Sequence, residues 1–152
     1  MDGARQGAQQ DDPDDQGDQA AAERRQMQRK HVFVVNGAAE FLDIVRVILE
    51  DERYNVTTTN FLPSSFEQIV ALQPDLIIID LVFGRTAGWE LLERLHAEAA
   101  TQEIPVLLTS TDPQLLDRAR QQAERYGRNR SIAKPLDIDE LLTAVDELIG
   151  SA

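Results

Sequence analysis

The sequence predicts a single α/β domain with a doubly wound parallel sheet, and three observations lead to this fold class. Between His31 and Gly150, apolar runs of strand length alternate with helical patterns five times. The run Leu76–Ile79 is apolar on both alternating faces, as in a central strand covered by helices on both sides. A hydrophobic share of 42% in 152 residues is sufficient for one core. Alternating strands and helices imply right-handed crossovers and a parallel sheet.

The overall composition limits the function. A net charge of -12 argues against direct nucleic-acid binding and against an anionic membrane surface, since both need clustered Lys and Arg. The chain has no Cys, which excludes disulfides, thiolate catalysis and Cys-ligated metals. No apolar stretch reaches the length of a signal peptide or a membrane span, so a cytoplasmic location is the default expectation.

Residues 1–30 have no apolar periodicity and are rich in Gln, Asp, Gly and Ala. Such a composition cannot bury enough surface to offset chain entropy, so we expect a disordered tail followed by a domain over 31–150. An acidic run around Asp11–Asp15 gives way to basic residues before the fold, which are Arg24, Arg25, Arg29 and Lys30. A solubilising leader or a short helical extension is favoured over an interaction arm.

The first strand is predicted over His31–Val35 and ends at Asn36-Gly37. An amphipathic helix follows over 38–51, and a thin β-branched run, 54–59, is expected at the sheet edge. The spacing from Ser64 to Glu67 indicates a capping box that opens a helix through residue 72. The central strand then ends at Asp80.

The second half of the chain repeats the alternation. After a loop through Gly84 and Gly88, the pattern predicts a helix over 89–99 and a strand over 104–109. Asp112 before Pro113 indicates the N-cap of a polar helix that continues to about residue 126. A very short strand is expected over 131–133, and Asp137 caps a last helix that ends before Gly150.

The residues that follow the strands converge at one edge of a parallel sheet, where open α/β sheets bind ligands. They are Asn36 and Gly37, Asp80, Ser110 and Lys134. A carboxylate, a hydroxyl and an ammonium in one crevice can handle a phosphoryl group. Asp can carry an aspartyl-phosphate, Lys can neutralise phosphoryl oxygens, and Ser can donate to one of them.

At this point the stretch from Lys30 to Gly150 resembles a receiver domain of the two-component response regulators, a CheY-like module of phosphorelay signalling. The resemblance rests on the strand ending in Asp80 with Gly88 after it, on Ile104–Ser110, and on Ala133-Lys134-Pro135-Leu136. It implies a flavodoxin-like (βα)5 fold with strand order 2-1-3-4-5. It also implies that Asp80 is the phosphoacceptor and that Ser110 and Lys134 contact the phosphoryl group.

The sequence departs from the family pattern at four positions. Asn36 and Gly37 replace the acidic pair that binds Mg²⁺ in the family, which leaves Asp80 as the carboxylate expected to hold a metal if one binds. Gly84 replaces a Pro, and Ser131 replaces the aromatic switch residue. We therefore expect no certain cofactor, with Mg²⁺ as the alternative, and hypothesise that Asp80, Lys134 and Ser110 hold a constitutive state without Mg²⁺.

The predicted function is a stand-alone, atypical receiver domain that acts by protein–protein interaction and is not a free-standing enzyme. The alternative is a competent phosphorelay receiver that is phosphorylated on Asp80 by a sensor histidine kinase. A nucleotide or flavin binder on the same fold is the rival from another class, although no G-x-G-x-x-G cradle follows the first strand. Expected partners are a histidine kinase or another signalling protein, with a homodimer through the fourth-helix to fifth-helix face as a further expectation.

Overall fold

The computed structural model describes residues 19–21, 29–61, 64–82, 84–126 and 129–150. Five strands alternate with five helices from His31 onward. The strands are β1 (His31–Val35), β2 (Asn55–Thr59), β3 (Leu76–Asp80), β4 (Val106–Ser110) and β5 (Asn129–Ala133). The helices are α1 (Ala39–Asp51), α2 (Ser65–Leu72), α3 (Ala87–Ala97), α4 (Pro113–Tyr126) and α5 (Ile138–Ile149).

All five strands are parallel, and their order is β2-β1-β3-β4-β5. This confirms the predicted doubly wound fold and the order 2-1-3-4-5. The central strand β3 is buried along its whole length, whereas every residue of β2 is half-buried, as expected for an edge strand. The order changes direction between β1 and β3, so the carboxyl ends of these two strands open a crevice at Asn36 and Asp80.

Two apolar clusters cover the two faces of the sheet. On one face, α1 and α5 pack with Leu42, Val45, Leu141 and Val145 against the alternate residues of β1 and β3. On the other face, α2, α3 and α4 contribute Phe66, Ile69, Leu92, Leu95 and Ala119. The period-two alternation of the strands explains this division, since neighbouring residues such as Ile77 and Ile78 belong to opposite clusters.

Most boundaries lie close to their predicted positions, but one local prediction is wrong. Ser64 precedes α2 with φ −85° and ψ 0° and makes no side-chain cap hydrogen bond, so the capping box with Glu67 does not form. A capping side chain reaches the helix N–H groups from an extended backbone, and Ser64 is not extended. Asp137, by contrast, is extended and accepts a hydrogen bond from the backbone N–H of Glu140 at 3.1 Å, as predicted.

The predicted tail falls largely outside the described residues, and so do Arg24 and Arg25. Lys30, immediately before β1, already belongs to the fold, because its ammonium donates to the carbonyl of Ile149 at the end of α5. Within the described part of the chain, no helix combines the length and the apolar character that a membrane crossing requires.

Candidate functional site at the carboxyl ends of the strands

A cleft of about 480 Å³ opens at the carboxyl edge of the sheet. It brings together three of the predicted positions, the Asn36-Gly37 turn, Asp80 and Lys134. The remaining lining residues come from the starts of α1 and α3 and from the loops beside them, namely Ala38, Phe61, Val82, Arg85, Ala87 and Gly88. Strand topology accounts for this convergence, since parallel strands end at the same edge.

Asp80 is buried, with 6% of its surface exposed, and its carboxylate is held by two donors. The ammonium of Lys134 lies 2.7 Å from Oδ1, and the hydroxyl of Thr109 donates to the same oxygen at 2.9 Å. Both contacts therefore fall on Oδ1, and no hydrogen bond to Oδ2 is found among the described residues. The described donors thus fix one oxygen of the carboxylate, Oδ1.

Lys134 has a second partner in addition to Asp80. Its ammonium lies 4.3 Å from the centroid of the Phe41 ring, within cation–π range. The side chain is 17% exposed, so the ion pair with Asp80 is largely shielded from solvent. A charged pair at this depth remains ionised only with close geometry and additional contacts, and Thr109 and Phe41 supply those contacts.

Ser110 does not contact Asp80 in this structure. Its hydroxyl is buried, donates to the carbonyl of Leu81 at 2.6 Å and accepts from the backbone N–H of Asp112 at 3.0 Å. Thr109 contacts the carboxylate instead, and sequence reasoning missed this residue. The signal was the strand register, since Asp80 and Thr109 are direct partners of β3 and β4, but the register is not visible in the sequence.

The Asn36-Gly37 turn does not fit a divalent metal. The side-chain oxygen of Asn36 accepts from the backbone N–H of Ala38 at 2.8 Å, and Gly37 offers no side-chain ligand. Asp80 Oδ1 is already engaged by Lys134 and Thr109. In addition, the described residues contain no group of three or more His, Cys, Asp or Glu side chains arranged to hold a metal ion. Mg²⁺ prefers carboxylate oxygens, and this donor set supplies few of them.

Two glycines shape the loop from β3 to α3. Gly84 has φ +77°, a left-handed conformation that proline cannot adopt, which explains why a Pro is incompatible with this turn. The turn is closed by the backbone N–H of Arg85 donating to the carbonyl of Val82 at 3.0 Å, and it places Arg85 at the cleft. Gly88 lies so close to β3 that a Cβ atom would be 2.6 Å from the carbonyl oxygen of Asp80.

Glu40 and Asp112, two other carboxylates at the sheet's carboxyl edge, do not line the cleft. Glu40 is exposed and does not line the cleft, so it does not replace the acidic pair. Asp112 accepts from the backbone N–H of Gln114 at 2.9 Å, which confirms it as the N-cap of α4.

The predicted switch position, Ser131, is half-buried on β5 and lines a cavity of about 330 Å³ beside α4. Three arginines of α4 and β5 have partners: Arg118 lies over the Trp89 ring, Arg120 pairs with Asp117, and Arg130 pairs with Glu147. Arg128 and the side chain of Arg125 lie outside the described part.

The two histidines are structural. A ring nitrogen of His31 is 2.7 Å from the Thr57 hydroxyl. Burial lowers the pKa of His31, and the negative charge of Asp75, which acts in the opposite direction, has the smaller effect. His96 is buried with Nε2 3.1 Å from the amide nitrogen of Asn129, and burial likewise lowers the pKa of His96. Neither residue lines the cleft.

Comparison with known proteins identifies the family. The model of the response regulator receiver domain matches residues 32–146. The transcriptional regulator RpaA of Synechocystis sp., described as DNA-binding, is 29% identical over 118 residues, covering 78% of this chain and 48% of the regulator. The phosphate regulon regulator PhoB of Escherichia coli is 25% identical over 116 residues, covering 76% and 50%. The chain thus spans about half the length of these two relatives.

A third relative is closer in length. An uncharacterised 14.6 kDa protein of Leptolyngbya boryana is 29% identical over 119 residues, covering 76% of this chain and 87% of that protein. Among solved structures, the chemotaxis protein CheY4 of Vibrio cholerae matches with a TM-score of 0.67 at 20% identity, over 79% of this chain and 98% of CheY4. A Pseudomonas aeruginosa receiver domain with magnesium in its active-site cleft gives 0.62 at 20%, over 81% and 99%. At these identities the structural matches show the fold alone.

Proposed function

The chain belongs to the response regulator receiver domain family, and from this we propose that it is an atypical receiver that signals through protein–protein contacts without requiring phosphorylation. The observation that carries the proposal is the contact of 2.7 Å between Lys134 and Asp80. In this state the acceptor carboxylate is already neutralised by a side chain of the same protein. The domain acts as a signalling module and not as a free-standing enzyme.

The electrostatics of the cleft support this proposal. Several carboxylates in one pocket repel one another, and a cation relieves that repulsion. Here Asp80 is the carboxylate among the described lining residues, and one ammonium balances it. Oδ1 also receives a hydrogen bond from Thr109, so the ion pair has both a balanced charge and an additional hydrogen bond without a metal.

A second candidate is a phosphorelay receiver that takes a phosphoryl group on Asp80. The observation in its favour is the available Oδ2 oxygen at the wall of the cleft. In that reaction Oδ2 attacks phosphorus and the donor group leaves. Without a metal, Lys134 and Arg85 are the described cations lining the cleft that can balance the incoming charge, and we expect a slow reaction.

Incubation with acetyl phosphate and Mg²⁺, followed by intact-mass analysis, separates the two candidates. We expect no phosphoryl adduct on the wild-type protein. An adduct that disappears in Asp80→Asn but persists in Asp117→Asn would overturn the phosphorylation-independent proposal and establish the phosphorelay candidate. Asp117 is a suitable control because it lies on α4 and is exposed.

For partners, we propose a sensor histidine kinase or another signalling protein, and no direct contact with DNA, given the net charge of -12. Self-association through α4 and α5 is a further proposal. Light scattering over a range of concentrations tests it, with Arg130→Glu as the variant expected to weaken any dimer.

A further inference from the structure

We infer that the cleft binds a small oxyanion, a phosphate or a phosphomonoester, directly and without a divalent cation, on the side formed by Asn36, Gly37 and Arg85. The inference names a ligand class for the cleft. It rests on the proposed function only in treating this cleft as the regulated site of the domain. Four features of the described residues carry it: an unmatched donor, two helix N-termini, a free cation and a neutralised carboxylate.

The unmatched donor is the side-chain amide of Asn36. The residue is 2% exposed and lines the cleft, and its oxygen is committed to the backbone N–H of Ala38. The nitrogen, Nδ2, is buried and has no hydrogen-bond partner. An unsatisfied buried donor is unfavourable by about 1–3 kcal/mol, and an acceptor in the cleft would remove that penalty.

Two helices direct their N-termini at the same cleft. Gly37 and Ala38 precede α1, and Ala87 and Gly88 begin α3, and all four residues line the cleft. Neither helix has a side-chain cap, because the N-cap residues Ala38 and Thr86 make no cap hydrogen bond. The N–H groups of a first helical turn have no intrahelical acceptor and carry the positive end of the helix dipole, which favours an anion.

The charges of the cleft favour the same ligand. Lys134 and Thr109 neutralise Asp80, while Arg85 lines the cleft, is exposed and forms no ion pair with any residue that the structure describes. The described ionisable lining residues therefore have a net charge of about +1. The acidic residues in the first turns of the two helices, Glu40 and Glu90, are exposed and do not line the cleft. An anion thus meets unused donors and the positive charge of Arg85, whereas a metal ion would meet Lys134.

A second cavity, of about 360 Å³, borders the first and shares Phe61 and Ala87 with it. Its walls include Phe66 and Leu91, which offer apolar surface next to the anion position, together with the charged residues Glu90 and Arg94. Inorganic phosphate would fill the first cleft alone, whereas the organic group of a phosphomonoester could extend into the second cavity. The two sources of the oxyanion are therefore separable by affinity.

The direct test is a titration of the full-length protein in EDTA with inorganic phosphate, followed by ¹H–¹⁵N NMR at constant ionic strength in chloride. We expect saturable shifts confined to the side-chain amide of Asn36 and to the backbone amides of 37–39, 87 and 88. Phenyl phosphate is titrated in parallel. If phenyl phosphate binds more tightly than inorganic phosphate, the neighbouring cavity accommodates the organic group of a phosphomonoester. If the two bind equally, the ligand is free phosphate. Shifts no larger than those produced by chloride would overturn the inference.

Two sets of variants sharpen the test. Arg85→Gln should weaken phosphate binding about tenfold, whereas Arg120→Gln, on an exposed arginine outside the cleft, should leave it unchanged. In Asn36→Asp/Gly37→Asp, phosphate binding should be lost and saturable Mg²⁺ binding gained. Space is available for the second change, because a Cβ at Gly37 meets no atom within 4 Å.

Unchanged phosphate affinity in Arg85→Gln or in the double acidic variant would refute the site, and Gly37→Asp alone serves as a second acidic variant. The titration uses no partner and no phosphoryl donor. A negative titration therefore leaves the proposed signalling function intact. Conversely, labelling of Asp80 by acetyl phosphate would overturn the signalling proposal but would not decide whether the cleft binds phosphate.

Discussion

The pairing of Asp80 with Lys134 makes a quantitative prediction, which a double-mutant cycle with Lys134→Met and Asp80→Asn can measure. Methionine keeps most of the side-chain volume next to Phe41 but removes the ammonium. Asp80 would then be left at 6% exposure with Thr109 as its remaining described donor. Removal of one partner from a buried ion pair is destabilising by about 3–5 kcal/mol, and we expect about 3 kcal/mol because the hydrogen bond from Thr109 is kept.

The reverse change should be milder. In Asp80→Asn the amide can retain the hydrogen bond with Thr109, and Lys134 keeps its contact with the Phe41 ring, so we expect a loss of about 2 kcal/mol. The double variant buries neither charge and should lose about 2 kcal/mol as well. The coupling free energy between the two side chains is then about 3 kcal/mol.

Urea unfolding in EDTA, followed by the fluorescence of Trp89 and by far-UV circular dichroism, measures each free energy of unfolding. The same cycle on Arg120 and Asp117 is the control, since this pair is 57% and 67% exposed and should couple by about 0.3–0.5 kcal/mol. A coupling below about 1 kcal/mol between Asp80 and Lys134 would refute the view that they form a constitutive, metal-independent pair.

Three further outcomes are expected. Gly88→Ala should lower the free energy of unfolding, measured in urea, by about 1 kcal/mol, because the clash with the Asp80 carbonyl outweighs the gain in helix propensity. Gly37→Ala should be near neutral, because the space around Gly37 is open. Asp137→Ala should be destabilising by about 1 kcal/mol and Ser64→Ala by much less, since Asp137 forms a cap bond and Ser64 does not; equal losses would contradict the structure. Burial lowers the pKa of His96, so on acidification the unfolded chain takes up a proton at this residue before the folded chain does. The contribution of His96 to stability is therefore complete above pH 6.5 and is lost as the pH falls below that value. His96→Gln should make the free energy of unfolding less dependent on pH between pH 7 and 5.

The fold was readable because its determinants are local and repeated. The all-apolar β3, the thin β2 and the Asp137 cap each follow from residue types within a few positions, and the structure confirms all three. The predicted capping box at Ser64 is wrong because residue types alone do not determine the backbone angles at a helix start. The motif specifies which side chains could bond, but the backbone angles at Ser64 are set by how the preceding loop enters α2.

The candidate site was predictable only in part. Strand topology placed Asp80 and Lys134 at the same edge of the sheet, and the structure shows the contact between them. Thr109 and Arg85 were not predictable in the same way. Thr109 reaches Asp80 because of a register between two strands, and Arg85 reaches the cleft because Gly84 adopts a left-handed turn. Both depend on three-dimensional detail that residue spacing does not carry.

The electrostatics of the cleft connect these observations. Two helix N-termini favour negative charge, and in a receiver with an acidic pair the side chains of that pair provide it. When Asn36 and Gly37 replace the pair, the same backbone keeps its positive ends but loses its internal anions, and Arg85 adds a further positive charge. Among the described lining residues Asp80 is the carboxylate, and it is paired with Lys134. A small oxyanion would match both the remaining positive charge of Arg85 and the unused donor of Asn36.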